Sequence, residues 1–357
     1  MSHVLEIRRA EQLDSYRLAW NLLEAQAEDS SFYRSWDWMR WWLRRHRTSA
    51  QPRVLLVSVG ADLVGILPLV QIVRRTVFGR LCTLGYPVDS CMTDCGPVGP
   101  NPTATMMTAV RYLATCPNPW HLLQLREYGT VRPLRRLASN SLRLARLTAS
   151  IQQHPGPRRV ELADLAKHTQ SFGVGNDGET RFTRFRPASA SEGAGMVAPG
   201  CLDACRQILH SPGESAAHRA IECEARQKWF ESLINVAASR GALDIGLLTE
   251  CDRPVALAAN IHGGGVLHYL ASSVAGDNPQ RNDERERRLW ALIVEDSLRR
   301  GEQAMVFPQA TAPGFLGAIE RDESPRLEIA QVKRGWQSQL LMRGARDRSY
   351  SLAEQVG

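Results

Sequence analysis

The chain has 357 residues, of which 43% are hydrophobic and 23% charged, a globular composition that excludes a chain disordered throughout. That length predicts two domains. The net charge of +7 lies in residues 1–150, where 19 arginines outnumber 11 acidic residues (+8), while the remainder carries 25 basic and 26 acidic residues (−1). Only three of the 44 basic residues are lysines, a bias typical of codon usage, so no nucleic-acid partner is predicted from charge alone.

The sequence predicts neither a membrane span nor a metal site. The most apolar stretch, Val54–Val73, is interrupted by Asp62 and Pro68 and is too broken to cross a bilayer. The N-terminal segment lacks the apolar core of a signal peptide, so we expect a cytoplasmic protein whose eight cysteines are reduced. The pairs Cys91–Cys95 and Cys201–Cys205 have no second pair at zinc-finger spacing.

Hydrophobic periodicity and turn residues predict the elements of the first half. In chain order they are a helix in Leu5–Glu28, a helix with Ser35 as N-cap, a hairpin of strands Arg53–Val59 and Leu63–Val73, a strand Arg80–Leu84, a loop Gly85–Thr103, a helix Ala104–Ala114 and a strand Trp120–Arg126.

The second half begins with a predicted break at Gln152–Pro157. Gly173–Gly200 is rich in Gly, Ser and Ala, which indicates disorder or a long surface excursion, interrupted by the basic segment Arg181–Arg186. After it we predict a helix in Ala216–Arg240, strands Leu243–Thr249, Pro254–Ile261 and Val266–Ser273, a helix from about Glu284 to Arg300 with Gly301 as its stop, and a strand Gln303–Phe307.

Two segments of the chain follow one pattern. Leu55–Val70 and Gly246–Ile261 each contain an apolar strand, a short polar turn with an aspartate, and Val-Gly or Val-Ala in a second apolar strand. Aligning Val64 with Val255 gives an offset of 191 residues. The chain is then two copies of one mixed α/β unit, unless the two hairpins are alike by chance.

The segment Leu243–Ser273 resembles the second-half strand meander of the GNAT-fold acyltransferases related to the BioF2-like and CelD/BcsL cellulose-biosynthesis proteins, which are similar to the FemAB peptidyltransferases. Ser31–His46 resembles that family's F-x-S-x-x-W helix, and Val54–Val70 its G-x-x-V-G-x-x-P-L hairpin. Leu81–Val98 resembles its aspartate-containing loop, and Trp120–Glu127 the strand that closes the first half.

The resemblance implies a mixed α/β (α+β) fold of two tandem GNAT-like domains, at residues 1–150 and 151–345, with a tail at 346–357. It implies a bacterial-type acyltransferase that moves an acyl group from acetyl-CoA or another acyl-CoA to a small-molecule or saccharide acceptor, through an amine or hydroxyl, and uses no metal. Acyl-CoA would lie in a V-shaped split between two strands of the second domain. Its pyrophosphate would meet the N-terminus of the following helix, which favours anions.

Three residues are candidates for catalysis. Asp94, in the Gly/Pro-rich loop, is a candidate general base, although an aspartate there also caps its own turn. His268 and Tyr269 are neighbours in a predicted strand and therefore face opposite sides of the sheet. The histidine could deprotonate the acceptor and the tyrosine could protonate the leaving thiolate; the alternative is a hydrogen-bonded histidine and a core tyrosine.

The candidates for binding CoA lie around the start of the predicted helix. They are Ser272, Arg281, Asn282, Arg285, Arg287 and Arg288. Guanidinium groups bind phosphates bidentately, so the arginines could clamp a pyrophosphate. The spacing of Glu284 and Arg288 also predicts an ordinary solvated helix face, and this alternative stays open.

Two departures from the family pattern motivate a second function. A glycine-containing segment precedes the CoA helix in the relatives, and the matching stretch Asn282–Trp290 has no glycine. The relatives' Tyr-Lys pair is missing from Val306–Phe315. The alternative is therefore a catalytically degenerate GNAT-fold binding or scaffold protein, with an aminoacyl-tRNA-dependent transferase of FemAB type as a third possibility.

The helix after Ser35 is rich in tryptophan and arginine. Trp36, Trp38, Trp41 and Trp42 with the arginines beside them could form a stacking and phosphate-binding surface for nucleic acid. Their helical spacing favours instead a face packed into a hydrophobic core.

Overall fold

The structure is a computed structural model. It describes residues 2–28, 31–76, 79–89, 92, 94–116, 120–128, 137–147, 150–154, 156–169, 180–187, 200, 203, 205, 224–276, 278–308 and 326–332. The chain divides into two compact units, unit 1 with residues 1–157 and 324–357 and unit 2 with residues 158–323. The domains expected from the sequence, 1–150 and 151–345, differ from this division at the C-terminal end, because a strand beyond residue 323 lies in a sheet of unit 1.

Unit 1 is built from two sheets and five helices within its described residues. Its elements, numbered in chain order, are β1 (Ser2–Ile7), α1 (Ala10–Asp14), α2 (Arg17–Gln26), a 3₁₀ turn (Phe32–Arg34), α3 (Trp36–Arg45), β2 (Ala50–Pro52), β3 (Val54–Val59), β4 (Asp62–Leu67), β5 (Val70–Thr76), β6 (Gly79–Gly85), α4 (Pro102–Thr115), β7 (Leu122–Tyr128), α5 (Leu137–Leu144), β8 (Ser150–His154) and β15 (Arg326–Val332). The sheet orders are β1-β3-β4 and β2-β5-β6-β7-β15-β8.

Unit 2 has one sheet, of order β10-β11-β12-β13-β14-β9, and α8 crosses from β13 to the parallel strand β14. Its elements are β9 (Arg158–Glu161), α6 (Leu162–Thr169), β10 (Thr180–Phe185), α7 (Glu224–Ser239), β11 (Leu243–Glu250), β12 (Arg253–Gly263), β13 (Val266–Val274), α8 (Pro279–Arg299) and β14 (Ala304–Phe307). The apolar face of α8 covers the sheet with Leu289, Trp290 and Ile293, which are 0% exposed.

The two units repeat one strand arrangement. Val57 pairs with Gly65 in the first hairpin and Leu248 pairs with Ala256 in the second, and each position is 191 residues from its counterpart. In both hairpins the register then shifts, so that the valine before the paired Gly65 or Ala256 is the bulged residue. The structure therefore bears out the repeat that the sequence predicts.

One buried ion pair occupies the same place in both units with its charges exchanged. Glu6 pairs with Arg53 in unit 1, and both side chains are at most 6% exposed. By the strand registers Glu6 corresponds to Arg184 and Arg53 to Asp244. In unit 2 the Nη2 atom of Arg184 lies 2.7 Å from Oδ2 of Asp244. Both units therefore have an ion pair at this place, with the acidic and the basic residue on exchanged strands.

The tryptophan-rich helix α3 packs into the core of unit 1. Ser35 caps it, because its hydroxyl accepts the Trp38 backbone N–H at 3.1 Å. Trp38 and Trp42 are at most 1% exposed and donate their indole N–H groups to the carbonyls of Pro87 and Val88. The buried-face interpretation of this helix is confirmed.

Several regions differ from the predicted elements, among them the predicted strand Leu63–Val73, which is divided into β4 and β5. Leu5 to Ile7 belong to strand β1, the predicted break at Gln152–Pro157 begins within strand β8, and the basic segment Arg181–Arg186 forms most of β10. Helix α8 begins at Pro279, five residues before the predicted start. The rest of the predicted disordered excursion, at 173–179 and 188–199, lies outside the described residues, as does the start of the helix predicted at Ala216.

Candidate functional site

Within the described residues, strands β13 and β14 pair over a short length only. Their parallel pairing covers Val266–His268 and Ala304–Val306. Strand β13 continues along β12 as far as Val274, so its six residues from Tyr269 onward lie beyond this pairing and border what we call the split. A register shift leaves Leu270 as a bulged residue just beyond the point where the strands part.

Unit 1 lacks this extension. Its strands β6 and β7 also pair in parallel, over Thr83–Gly85 and Leu122–Gln124, but β6 ends at Gly85, where its pairing ends. The chain then enters the predicted Gly/Pro-rich loop. Among the described residues, β7 continues past this pairing in unit 1, from Leu125 to Tyr128, whereas in unit 2 the earlier strand of the pair, β13, continues past it.

Three aromatic rings fill the core next to the split. Tyr269, Trp290 and Phe307 come from β13, α8 and β14, and each is 0% exposed. Their ring centroids are 5.6–6.0 Å apart, within the range of favourable aromatic pairs. The tyrosine predicted to protonate a thiolate is thus buried beneath the strand edge.

A chain of hydrogen bonds leads from this tyrosine to helix α8. The Tyr269 hydroxyl lies 3.0 Å from the Ser272 hydroxyl, which donates to Oε1 of Glu286 at 3.4 Å. Burial raises the pKa of Glu286, and the hydrogen bond from Ser272 only partly opposes this. The sequence analysis did not identify Glu286 as a functional candidate. Its spacing of four residues from Trp290 is the signal that could have placed it on the buried face.

Asn260 is a second functional candidate that sequence reasoning missed. It is the cross-strand partner of Tyr269, next to the bulge, and it is 0% exposed. Among the described residues, neither its Oδ1 nor its Nδ2 atom has a hydrogen-bond partner. An unsatisfied buried amide is costly, and such groups call for an explanation.

A glycine precedes α8. Gly276 has φ +129°, and a Cβ atom there would meet Arg285 Nη1 at 3.0 Å and Asn282 Oδ1 at 3.1 Å. The stretch Asn282–Trp290, matched in the sequence to the family's glycine segment, lies inside the helix. The start of the helix was predicted too late, so the residues before Pro279 were not compared with that segment.

The N–H groups at the start of α8 are already bonded. The Asn278 side chain accepts from the backbone N–H groups of Gln280 and Arg281 at 3.0 and 3.2 Å, and the Asn278 carbonyl accepts that of Asn282 at 2.9 Å. Pro279 has no N–H to offer. An anion could bind this helix end only by displacing the asparagine side chain.

The arginines predicted to bind phosphate differ in their surroundings. Arg285 is 12% exposed, donates to both carboxylate oxygens of Glu250 and bonds the Ala275 carbonyl at 2.6 Å. Arg281 is 63% exposed and also pairs with Glu250, whose pKa is lowered first by its hydrogen bond to Arg285. Asn282 donates to the Gly276 carbonyl. Only Arg281 is placed to reach a ligand beside the turn.

The remaining candidates lie apart from this group. Arg287 and Arg288 are the ninth and tenth residues of α8, beyond the end that carries free N–H groups. His268 is half-buried at the last paired position of β13, on the opposite face from Tyr269. Asp94 lies in unit 1, 3% exposed, with Oδ2 accepting from Arg34 Nε at 2.6 Å.

Two further findings concern ligands and membranes. In the described part of the chain, no group of three or more His, Cys, Asp or Glu side chains could hold a metal ion. Of the helices described, none combines the length and apolar character that a membrane crossing requires.

No protein-family model matches the chain, and no curated protein sequence matches it. Among solved structures it is similar to a conserved protein of unknown function from Bacteroides thetaiotaomicron VPI-5482, with 11% identity, 92% of this chain and 100% of that chain covered, and a TM-score of 0.55. It is similar to FemX with 9% identity, 92% and 97% coverage and a TM-score of 0.55. A tandem GNAT protein from the clavulanic acid biosynthesis pathway has 11% identity, 94% and 99% coverage and a TM-score of 0.47.

At such low identity these likenesses concern the fold alone. With the repeated strand order of the two units, they define a mixed α/β protein of two tandem GNAT-like units. The predicted fold class is confirmed.

Proposed function

We propose that the protein is a GNAT-type acyltransferase that binds acyl-CoA in the split of unit 2. The observation that carries this proposal is the strand β13, which continues past its described pairing with β14 from Tyr269 to Val274, with a bulge at Leu270. A strand edge without a neighbouring strand leaves backbone N–H and C=O groups for the amides of pantetheine. The turn at Gly276 lets backbone approach a ligand closely, and Arg281 lies beside it.

The reaction would be direct attack of an acceptor amine or hydroxyl on the thioester carbonyl. The new C–N or C–O bond forms, the C–S bond breaks, and the proton lost by the acceptor passes to the leaving thiolate. The chain Tyr269–Ser272–Glu286 supports such a transfer, because burial raises the pKa of the Glu286 carboxyl and Ser272 connects this carboxyl to the Tyr269 hydroxyl. The roles expected for Asp94 and His268 stay predictions. So do a cytoplasmic location and the saccharide or cell-envelope acceptor implied by the CelD/BcsL resemblance.

Calorimetric titration with acetyl-CoA and octanoyl-CoA tests the donor site. We expect saturable binding, weakened about tenfold by Arg281→Glu, which removes a charge-assisted contact and adds a repulsion. Arg299→Glu is the matched control, since Arg299 is exposed at the other end of the same helix. Absence of heat at 1 mM ligand, or equal loss in both variants, would contradict the proposal.

A catalytically silent binding protein is the second candidate. The bonded N-terminus of α8 favours it, because Asn278 takes the place that a phosphate would occupy. Asn278→Gly separates the two functions, since glycine is tolerated at an N-cap and frees the N–H groups. An acyltransferase should bind acyl-CoA at least as tightly after this change and release CoA thiol with an acceptor. A binding protein would release none in either form.

A further inference from the structure

A cavity of about 290 Å³ lies in unit 1. The turn after α3, the short strand β2 and the first residues of the β5–β6 hairpin form it. The polar side chains on its walls include Arg47, Thr48, Ser49, Gln51, Arg75 and Arg80. Its volume lies at the lower end of the range for small-ligand sites.

The lining is entirely without acidic residues. Arg75 and Arg80 are directly opposite each other in the antiparallel pair of β5 and β6, an arrangement of like charges that destabilises a sheet. All three arginines of the cavity are exposed, and no carboxylate pairs with any of them among the described residues. By contrast Arg53, the residue after β2, is buried against Glu6.

Ordinary structural roles do not account for this arrangement. Arg47 follows the C-terminus of α3, where a positive charge is favourable because of the helix dipole. The helix dipole does not explain Arg75 and Arg80, because both lie on strands. Two guanidinium groups lie opposite each other beside a concave polar surface. An anion bound between them would offset their repulsion and explains the arrangement.

We propose that this cavity binds the phosphate group of a small ligand, of the size of a phosphorylated monosaccharide or a diphosphate. Guanidinium groups donate paired N–H groups that match phosphate oxygens, and the hydroxyls of Thr48 and Ser49 add further donors. The charge excess of residues 1–150 attracts such a ligand. The site stands apart from the acyl-CoA proposal and does not depend on it.

Titration calorimetry at constant ionic strength tests the site with pyrophosphate, inorganic phosphate and glucose 1-phosphate as probes. We expect saturable binding of at least one, with each of Arg75→Gln and Arg80→Gln weakening it about tenfold. Tighter binding of glucose 1-phosphate than of the inorganic anions identifies a sugar phosphate, and the reverse order identifies a free phosphate or diphosphate. Both variants should fold, because the side chains are exposed and their removal relieves a repulsion.

Arg111→Gln is the matched control, since Arg111 is exposed on α4 of the same unit and lies outside the cavity. An equal loss of affinity in this variant would show that the lower net charge alone weakens binding, and it would overturn the proposal. So would a lack of saturable binding at 10 mM of every probe. Tighter, steeply salt-dependent binding of a single-stranded oligonucleotide, lost in the same two variants, would assign the cavity to a nucleic-acid backbone instead.

Discussion

Two polar side chains that are costly to bury lie next to Tyr269. Asn260 lies opposite it without hydrogen-bond partners, and Glu286 connects to it through Ser272 at a raised pKa. Each group makes the folded state less stable than an apolar residue of similar shape would. Proteins often keep destabilising residues of this kind where they bind a ligand or catalyse a reaction. A substitution at these positions can therefore raise the free energy of unfolding while it lowers ligand affinity.

Replacing Asn260 by leucine should stabilise the protein. The side chains are similar in size, and the change removes an amide whose donor and acceptor are both unsatisfied. We expect the free energy of unfolding to rise by about 1–3 kcal/mol, measured by urea denaturation, while acyl-CoA affinity falls. Asn101→Leu is the control with the opposite sign, because Asn101 caps α4 and its loss costs about 1 kcal/mol. Lower stability of N260L would mean that its amide is satisfied in solution.

The stability of the protein should depend on the protonation of Glu286. Because burial raises its pKa, the stabilising contribution of the neutral carboxyl is fully present below its ordinary value of 4.5 and is lost as pH rises through the raised pKa. Glu286→Gln cannot ionise. Its free energy of unfolding should match that of the wild type at pH 4 and exceed it at pH 8, by about 1.4 kcal/mol for each unit of pKa shift.

Leu298→Gln provides the control for this comparison, since Leu298 is exposed on the same helix and neither side chain titrates. Its stability difference from the wild type should not change between pH 4 and pH 8. If the E286Q curve runs parallel to the wild-type curve over that range, Glu286 does not hold its proton in the folded state.

In each unit a helix side chain lies close to a glycine of the hairpin, but the side chain is rigid in unit 1 and flexible in unit 2. In unit 1 a Cβ atom at Gly65 would lie 2.8 Å from both Cβ and Cγ2 of Thr105 on α4. In unit 2 a Cβ atom at Gly246 would meet the end of the flexible Ile293 side chain on α8, at 2.8 and 2.9 Å. Neither glycine has a positive φ, so space rather than backbone strain decides what fits.

Gly65→Ala should therefore destabilise the protein more than Gly246→Ala. Thr105 is β-branched and close to the helix backbone, so the helix itself must move, and overpacking of this kind costs about 1–3 kcal/mol. Ile293 can change rotamer instead. Thermal unfolding of both variants tests this difference. A second change, Thr105→Ala, should recover only part of the loss in G65A because its Cβ atom remains. Equal costs at both glycines would contradict the packing argument.

The sequence predicts elements well where apolar periodicity is strong and partners are near in the chain. The hairpin of β11 and β12, the strand β13 and the helix α4 follow the predicted ranges closely. The strand β15 was not predicted, because its partners β7 and β8 lie about 200 and 175 residues earlier in the chain. Pairing over such separations is set by the tertiary fold and leaves no local signal.

The candidate site could be predicted in part. The adjacency of Tyr269 and the strand edge followed from the family resemblance. The sequence did not predict that Arg285 stabilises the turn before α8. Its contacts with Glu250 and Ala275 join segments whose proximity the sequence does not reveal. The pKa of Glu286 depends on its burial, which a helix with mixed charges conceals.

At the scale of the whole molecule, the repeat extends to the helices. In unit 1 Tyr112 of α4 donates to Glu6, and in unit 2 Arg184 donates to Asp296 of α8. In both units the side chain at this position of the outer strand, Glu6 or Arg184, thus forms a hydrogen bond with the crossover helix, although the two residues carry opposite charges. The two units therefore share one geometry at this position while the chemical groups that form the bond differ.

The contribution of β15 to unit 1 leads to the last prediction. This strand lies between β7 and β8 and pairs with both, through seven residue pairs on one side and five on the other. A chain ending at Glu323 loses it, and β7 then has no partner on that side. Amides of β6 and β7 should exchange with deuterium at least about tenfold faster, while those of β11 and β12 keep their protection, because local opening follows the elements that lose contacts. A chain ending at Val332 retains β15 and is the control for removing the terminus itself. Unchanged exchange in β6 and β7, or equal loss of protection in β11 and β12, would mean that the division of the chain at residue 323 does not mark separate units of stability.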